Sequence, residues 1–241
     1  MILVLCHVGD HSARWVAERL GARARREVQL VFVEALADPS TVWCQEIRDE
    51  GVHMTITLGD GRTLRDGEID AVLNRMVCAP ATQTLAAVEG DEDYARSELT
   101  SFAASWVRGL APRVVNPPTP QGLSGRWRPA PGWRVLARRA GLPVVDLAVD
   151  SADPSTADGD PTGGSTVLTV GGEMLVRDAP DDVRAAAARL LSLAETPILG
   201  LRFDGAVPGE NGWRLLDATP YPDLSSAGED GVTAIAAELA A

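Results

Sequence analysis

Residues 167–176 of this chain read Val167-Leu168-Thr169-Val170-Gly171-Gly172-Glu173-Met174-Leu175-Val176. Two runs of apolar and β-branched residues flank a Gly-Gly pair, and glycine adopts the positive φ angles of a tight hairpin turn without steric cost. The stretch therefore predicts a β-hairpin, around which the second half of the chain is organised.

The elements after this hairpin are predicted in the order helix, strand, strand, helix. Pro180 suits the first turn of a helix, where its missing N–H is not needed. The apolar positions of that helix recur three or four residues apart, and they are Val183, Ala187, Leu190, Leu191 and Leu193. After Pro197, strands are predicted over 198–203 and 213–216, and a last helix over 232–239.

The first half of the chain opens with a β-α-β pattern. The apolar run Ile2–Cys6 and the strand-like Val28–Val33 enclose apolar residues at helical spacing. Alternating residues that break at Gly59-Asp60-Gly61 indicate a hairpin within 52–64. A further strand over 71–73 then leads into Asn74 and Arg75.

A long helix and a proline-fixed loop are predicted next. Asp91 or Asp93 could cap the helix, and Pro112 ends it. Its apolar stripe comprises Leu99, Phe102, Ala103, Trp106, Val107 and Leu110. Beyond the loop after Asn116, a short helix over 133–140 and a strand from Leu142 are expected.

The second half resembles the C-terminal lobe of ATP-grasp ligases of the glutathione-synthetase-like type, and the first half resembles their preceding α/β domain. In that family a hairpin with two glycines precedes a helix, a strand ending Gly-hydrophobic-Asp, and a last strand ending Glu-hydrophobic-Asn before a proline-containing loop. The matching residues here are Val170-Gly171-Gly172-Glu173, Leu199-Gly200-Leu201-Arg202-Phe203-Asp204 and Leu216-Asp217-Ala218-Thr219-Pro220.

The resemblance implies an α/β protein of two parts. A pre-ATP-grasp-like α/β domain over 1–120 precedes an ATP-grasp-like C-terminal α+β lobe over 166–241, with a connecting helix and strand over 121–150. Residues 151–165 form an acidic linker, expected to be flexible because, apart from two prolines, it has no apolar side chain larger than alanine. This linker stands where family members carry the central nucleotide-clamping subdomain, so that subdomain is expected to be missing.

The residues with which the family binds nucleotide and magnesium are only partly present in this sequence. Arg202 stands at the position of the first carboxylate, although Asp204 could replace it, and Thr219 stands at that of the metal-binding asparagine. Asp217 is the one equivalent carboxylate. The chain contains 22 arginines and no lysine, so the family's phosphate-binding lysines are absent. The acidic linker region would also repel a triphosphate through Asp150, Asp153, Asp158 and Asp160.

If this chain is a degenerate member of the family, no cofactor is expected to bind. ATP and Mg²⁺ would bind, with Asp204 and Asp217 as the metal ligands, only if the chain is a ligase.

Charge and cysteine content narrow the classes of partner. With 34 acidic and 22 basic residues, the formal net charge of −12 disfavours nucleic acids and anionic membranes. No segment approaches the roughly 20 apolar residues of a membrane span. The odd set Cys6, Cys44 and Cys78 favours reduced thiols, and the N-terminus lacks a basic leader, so a cytoplasmic protein is expected.

A ligand cleft is predicted at the carboxyl ends of the strands, where open α/β sheets bind their ligands. The candidate lining residues are Asn74, Arg75, Asn116, Arg202, Asp217 and Asp223. Amide and guanidinium groups could bind a carboxylate or an amide there. The alternative for Asn74, Arg75 and Asn116 is that they hold loops by hydrogen bonds to backbone carbonyls.

Two further clusters have alternative interpretations. Cys6-His7-Val8-Gly9-Asp10-His11 could supply a thiol nucleophile with its base, or a zinc site. Adjacent strand residues point to opposite faces, which favours Gly9 as a turn and Asp10 as a helix cap. The segment Arg126-Trp127-Arg128, together with Trp133 and Arg134, could form a peptide or protein contact, or internal cation–π packing.

The first hypothesis is a degenerate ATP-grasp-like protein without nucleotide-dependent ligase activity. It would bind a small polar ligand, a peptide or a partner protein as an accessory factor in a biosynthetic or peptide-modifying pathway. The first alternative is a minimal ATP-dependent carboxylate–amine ligase with a reduced magnesium site. The second is a structural subunit that forms a homodimer through the Phe102 and Trp106 helix or through hairpin edges.

Overall fold

The structure is a computed structural model, and it describes residues 1–23, 26–49, 51–80, 90–147 and 163–241. These residues form two compact units. Unit 1 comprises Met1–Arg126 and Ile235–Ala241, and unit 2 comprises Trp127–Ala234. Most of the predicted linker, 151–162, lies outside the described residues, and so do Asp150, Asp153, Asp158 and Asp160.

Unit 1 is built on a parallel sheet. Its elements are β1 (Ile2–Cys6), α1 (His11–Arg23), β2 (Val28–Phe32), α2 (Val33–Leu36), β3 (Val42–Arg48), β4 (Gly51–Thr57), β5 (Thr63–Arg65), β6 (Ala71–Asn74), α3 (Glu92–Gly109) and β7 (Arg113–Val115). The order β2-β1-β6-β7 is parallel throughout. Every residue of β1 and β6 is buried, as expected for central strands with continuous apolar sequences. The predicted β-α-β opening is confirmed.

A second sheet of unit 1 is antiparallel, with the order β3-β4-β5. The hairpin predicted within 52–64 is confirmed as β4 and β5. Strand β3 was not predicted, because it is an exposed edge strand whose polar residues Gln45, Glu46 and Arg48 interrupt any apolar alternation.

Helix α3 packs onto unit 1 through its apolar stripe. Trp106 is fully buried, and its ring meets Trp43 edge to face at a centroid distance of 4.9 Å. Phe102 contacts the same Trp43 at 5.5 Å but is 37% exposed. Asp91 occupies the N-cap position without a side-chain cap hydrogen bond. The Trp106 ring is therefore enclosed within its own unit, and a dimer through this helix or through hairpin edges stays a prediction.

Unit 2 is built on an antiparallel sheet. Its elements are α4 (Ala130–Ala140), β8 (Ser165–Val170), β9 (Glu173–Met174), α5 (Asp181–Ala194), β10 (Ile198–Phe203) and β11 (Leu215–Thr219), followed by α6 (Gly228–Ala240), whose last residues belong to unit 1. The order is β11-β10-β8-β9. Gly171 and Gly172 form the predicted hairpin turn with φ angles of 58° and 93°. The strand predicted from Leu142 is reduced to a single bridge between Val144 and Leu215.

Gly200 allows the loop after β11 to pack against β10. A Cβ atom at this position would lie 2.8 Å from Cβ of Pro222 and 3.1 Å from Cγ2 of Thr219. No side chain larger than hydrogen fits there without movement of its neighbours. The glycine of the Leu199–Asp204 motif therefore has a packing role in unit 2.

None of the helices among the described residues combines the length and the apolarity that a bilayer crossing requires.

Trp106→Ala is expected to lower the free energy of unfolding by about 3–5 kcal/mol, because it removes a large buried ring and leaves a cavity. Phe102→Ala is the matched control, since that ring touches the same Trp43 but is partly exposed. Phe102→Ala should lower the free energy of unfolding by only about 1 kcal/mol. Urea denaturation followed by circular dichroism measures both, and equal losses would contradict the assignment of Trp106 to the core.

Candidate functional site

Asn74 lies at the carboxyl end of β6 and is fully buried. Its Nδ2 donates to the carbonyl oxygens of Asn116 and Leu123 at 2.8 and 2.6 Å. The Ser124 hydroxyl in turn donates to the Asn74 carbonyl at 3.0 Å. Asn116 has a φ of 56°, a left-handed conformation that asparagine tolerates better than most residues. Asn74 therefore holds the loop from Asn116 to Ser124.

Arg75 lies in the interior of unit 1 and pairs with Asp10. Its Nε is 2.5 Å from Oδ2 of Asp10, and the two side chains are 4% and 3% exposed. The other oxygen of Asp10 accepts hydrogen bonds from the backbone N–H of Ala13 at 3.0 Å and from the Ser12 hydroxyl at 2.8 Å. The predicted helix cap at Asp10 is confirmed, and the pair connects the end of β6 to the start of α1.

Three of the six predicted cleft residues thus have structural roles. Asn74, Arg75 and Asn116 are all buried. They were expected to line a ligand cleft, but the Asn74 amide is directed at backbone carbonyls, Arg75 at a buried carboxylate, and the Asn116 carbonyl accepts from Asn74. A free ligand cannot reach them in this conformation.

Cys6 is not placed to act as a nucleophile. It is fully buried in β1, and burial, reinforced by the negative charge of Asp10, raises the pKa of its thiol to about 12. Across the described ranges, no group of three or more His, Cys, Asp or Glu side chains is arranged to hold a metal ion. The N-terminal cluster instead forms a turn, in which Asp10 N–H donates to the His7 carbonyl at 2.9 Å.

The predicted aromatic and cationic surface is largely internal to unit 2. Trp133 is fully buried, and the Arg128 guanidinium lies 5.9 Å from the centre of its ring. Arg134 is 6% exposed and donates from Nε to the Leu216 carbonyl at 2.8 Å. Trp127 remains 58% exposed. Internal cation–π packing is therefore the correct alternative for Arg128 and Trp133.

Arg202 and Asp217 are direct cross-strand partners in β10 and β11. Such partners have Cβ atoms about 4.5–5.5 Å apart, close enough for opposite charges to interact. Asp217 accepts a hydrogen bond from the Ala218 N–H at 2.8 Å. Both residues are half-buried, in contrast to Leu201 and Ala218, which are buried beside them. On this polar face of the sheet, Arg202 therefore lies opposite Asp217, the carboxylate that matches the family's metal-binding motif.

Asp204 forms an ion pair, and Asp223 accepts hydrogen bonds within a turn. Asp204 Oδ2 lies 2.5 Å from Nη2 of Arg214, in an ion pair within unit 2. Asp223 is exposed, and its Oδ1 accepts from the backbone N–H of Ser225 at 2.8 Å and from the Ser225 hydroxyl at 2.6 Å. The Asp223 carboxylate therefore stabilises the turn after β11.

The residues present do not fit a magnesium ion that bridges two phosphates. Such an ion requires near-octahedral oxygen ligands, usually including one or two carboxylates. Here Asp204 is paired with Arg214, and Asp217 lies opposite Arg202. Each expected carboxylate thus has an arginine as its neighbour, where a magnesium ion would need a carboxylate free to coordinate it.

A groove of about 780 Å³ in unit 1 was missed by the sequence reasoning. It lies along α3 and the proline loop, and its lining residues are Asp93, Arg96, Ser97, Thr100, Ser101, Ala104, Ser105, Arg108, Pro118, Thr119 and Pro120. Arg108 Nε donates to the Pro118 carbonyl at 2.8 Å, which fixes one wall to the other. The available signal was the series of small hydroxyl residues on the face of α3 opposite its apolar stripe.

No family model matches the chain, and no curated protein matches it. Solved structures do match. The macrocyclase MdnB from Microcystis aeruginosa MRC has a TM-score of 0.70 at 14% identity, covering 99% of this chain and 98% of that one. The macrocyclase MdnC from the same organism, bound to precursor peptide MdnA, has a TM-score of 0.73 at 11% identity, covering 100% and 99%.

A third structure is a Chryseobacterium gregarium RiPP-associated ATP-grasp ligase in complex with ADP and a leader and core peptide. Its TM-score is 0.69 at 10% identity, covering 99% of this chain and 96% of that one. The chain has an ATP-grasp-like fold. In this ATP-grasp-like protein, the Leu199–Asp204 and Leu216–Pro220 motifs lie on β10 and β11, which are neighbours in the sheet. The mixed α/β class is confirmed, whereas the missing central subdomain stays a prediction.

Arg75→Ala is expected to lower the free energy of unfolding by about 3–5 kcal/mol, because it leaves the buried Asp10 carboxylate without its arginine. Arg65→Ala is the matched control, since Arg65 and Glu68 form a pair at 3.4 Å in which both side chains are 55% exposed. That loss should stay below about 1 kcal/mol. Chemical denaturation measures both free energies of unfolding. A decrease below about 1 kcal/mol for Arg75→Ala would contradict its structural role and favour a role in ligand binding.

Proposed function

We propose that this chain is an ATP-grasp-like protein without nucleotide-dependent ligase activity, which binds a peptide as an accessory factor in a peptide-modifying pathway. The observation that carries the proposal is the arginine beside each expected magnesium carboxylate: Arg214 at Asp204 and Arg202 opposite Asp217. The ion pair with Arg214 already compensates the negative charge of Asp204, and Arg202 places a positive charge on the strand next to Asp217.

Two features of the sequence also argue against a nucleotide site of the family's kind. It contains no lysine. A phosphate site requires converging N–H groups or cations. Only 20 residues, 145–164, stand between the bridge at Val144 and the start of β8 at Ser165, which is fewer than a separately folded subdomain usually has. Both points support a protein that has kept the fold but not the ligation chemistry.

The peptide part of the proposal draws on the solved structures of similar fold. Two of them contain peptides: precursor MdnA with MdnC, and a leader and core peptide with the Chryseobacterium gregarium ligase. For this chain we place the peptide in the groove along α3. Its volume of about 780 Å³ suits several residues of extended chain, and its hydroxyl groups can bond to a peptide backbone.

The charges of the groove favour a peptide that carries carboxylates. Arg96 and Arg108 line it with one acid, Asp93, although the whole chain has a net charge of −12. Guanidinium groups form bidentate hydrogen bonds with carboxylates, which gives them geometric selectivity as well as attraction. Arg202, Asp217 and Asp223 remain candidates for a second, smaller polar contact in unit 2.

Fluorescence anisotropy tests the groove with a labelled dodecapeptide of alternating glutamate and serine, and with its glutamine counterpart. The glutamate peptide should bind more tightly, and Arg96→Glu should weaken it about tenfold through like-charge repulsion. Arg139→Glu is the matched control, because Arg139 is also an exposed helical arginine and its reversal changes the net charge equally. Equal weakening by both variants, or equal binding of both peptides, would contradict the peptide site.

The ligase alternative makes a different prediction. If Asp204 and Asp217 held magnesium, ATP hydrolysis in the presence of peptide would be lost in Asp217→Asn while peptide binding persisted. We expect no peptide-stimulated ATP hydrolysis in the unchanged protein. Phosphate release assayed with the glutamate peptide decides this, and turnover that Asp217→Asn abolishes would establish the ligase.

A further inference from the structure

His7 lies between a carboxylate and a thiol in unit 1. Its Nδ1 is 3.2 Å from Oε1 of Glu34, and its Nε2 is 3.7 Å from Sγ of Cys78. In the sequence His7 is next to Cys6, which is the thiol that the local pattern pairs with it, whereas Cys78 is far away in the chain. The fold instead brings together residues that are 27 and 71 positions from His7.

The surrounding hydrogen bonds fix the proton on the His7 ring. The Val77 backbone N–H donates to Nε2 at 3.2 Å, so this nitrogen is an acceptor. Nδ1 therefore carries the hydrogen and donates it to Glu34, whose other oxygen accepts from the Val8 N–H at 3.1 Å. The nitrogen that faces the thiol is thus the unprotonated one, as a general base requires, and its single lone pair leaves the Val77 N–H when it takes the thiol proton.

The three side chains lie where three adjacent parallel strands end. His7 follows β1, Glu34 lies in α2 directly after β2, and Cys78 lies shortly after β6. These strands are neighbours in the order β2-β1-β6, and the carboxyl edge of such a sheet is where ligands bind. Cys78 is exposed, unlike the buried Cys6.

Two exposed apolar residues adjoin His7 and Cys78 in the chain. Val8 and Val77, which follow His7 and precede Cys78 in the chain, are 49% and 52% exposed. Their backbone N–H groups are the same ones that hold Glu34 and His7. The reactive sulfur is therefore accessible, and the surface around it suits an apolar group better than a charged one.

We propose that Cys78, His7 and Glu34 form an acyl-accepting thiol site for an activated ester with an apolar acyl chain. Cys78 is the nucleophile and His7 the base, while Glu34 is a positioning residue. As the sulfur attacks the carbonyl carbon, Nε2 of His7 takes the thiol proton. The bond from that carbon to the leaving oxygen breaks, a thioester forms on Cys78, and His7 returns the proton to the leaving alcohol.

The resting state of Cys78 makes this base necessary. Burial, together with the negative charge of Glu34, raises the pKa of the Cys78 thiol above its usual value. The sulfur is therefore protonated near neutral pH, and its reactivity depends on transfer of the proton to His7. A thiol that was already ionised at neutral pH would not need the His7 imidazole as a base.

The test uses the full chain and 4-nitrophenyl butanoate as the activated ester. Release of about one equivalent of 4-nitrophenol per chain is expected, with the butanoyl group mapped to Cys78 by peptide mass spectrometry. Cys44 is the internal control, because it is an exposed thiol on β3 whose cross-strand partner is Thr55. Cys78 should be acylated at least about tenfold faster than Cys44, the lower range of general-base effects.

Two variants separate catalysis from packing. His7→Gln should slow acylation of Cys78 by about tenfold or more and leave the rate at Cys44 unchanged. Glu34→Gln should slow Cys78 less, because the amide oxygen still accepts the hydrogen of Nδ1. Equal rates at Cys78 and Cys44 in the unchanged protein would overturn the proposal even if a variant failed to fold. A His7→Gln rate equal to that of the unchanged chain would also overturn it.

Discussion

The pairing of β10 with β11 is the constraint on which the chemistry of unit 2 depends. Its register places Arg202 directly opposite Asp217, on the half-buried face of the sheet, while Leu201 and Ala218 enter the core. Because side chains alternate along a strand, a position that packs the core and one that faces a ligand cannot be exchanged without a shift in register. The arginine therefore stands where the resemblance to ATP-grasp ligases implies a carboxylate, on the same face of the sheet as Asp217.

In unit 1 the polar residues at the ends of the parallel strands divide into two groups. Asn74 and Arg75 are buried and hold a loop and a helix terminus, which satisfies polar groups that would otherwise be costly in the interior. His7 and Cys78 lie at the same edge but reach the surface. One sheet edge thus provides both the polar groups that stabilise the fold and a set that remains accessible for chemistry.

The sequence was most informative where local patterns coincide with tertiary packing. The Gly171-Gly172 hairpin, the helix after Pro180 and the continuous apolar strands β1 and β6 could be predicted, because turn chemistry and apolar period are local properties. Strand β3 could not, since its residues are held by pairing with β4 and not by burial.

The site was harder to predict than the fold. Polar residues at a strand end have the same sequence signature whether they bind a ligand or a backbone carbonyl, and burial decides between the two. That is why Asn74 and Arg75 were placed in a cleft. The contact between His7 and Cys78 depends on which strands are neighbours in the sheet, and local sequence does not specify that.

The most direct measurement of the central claim is thermal unfolding of the purified chain with and without ATP and Mg²⁺. A ligand present at 100 times its dissociation constant adds about 2.7 kcal/mol to the free energy of unfolding, which is worth about 5–10 °C for a chain of this size. The account predicts no magnesium-dependent shift up to millimolar nucleotide. A shift of several degrees that requires both ATP and Mg²⁺ would contradict it, because it would mean that the arginine-paired carboxylates still hold the metal.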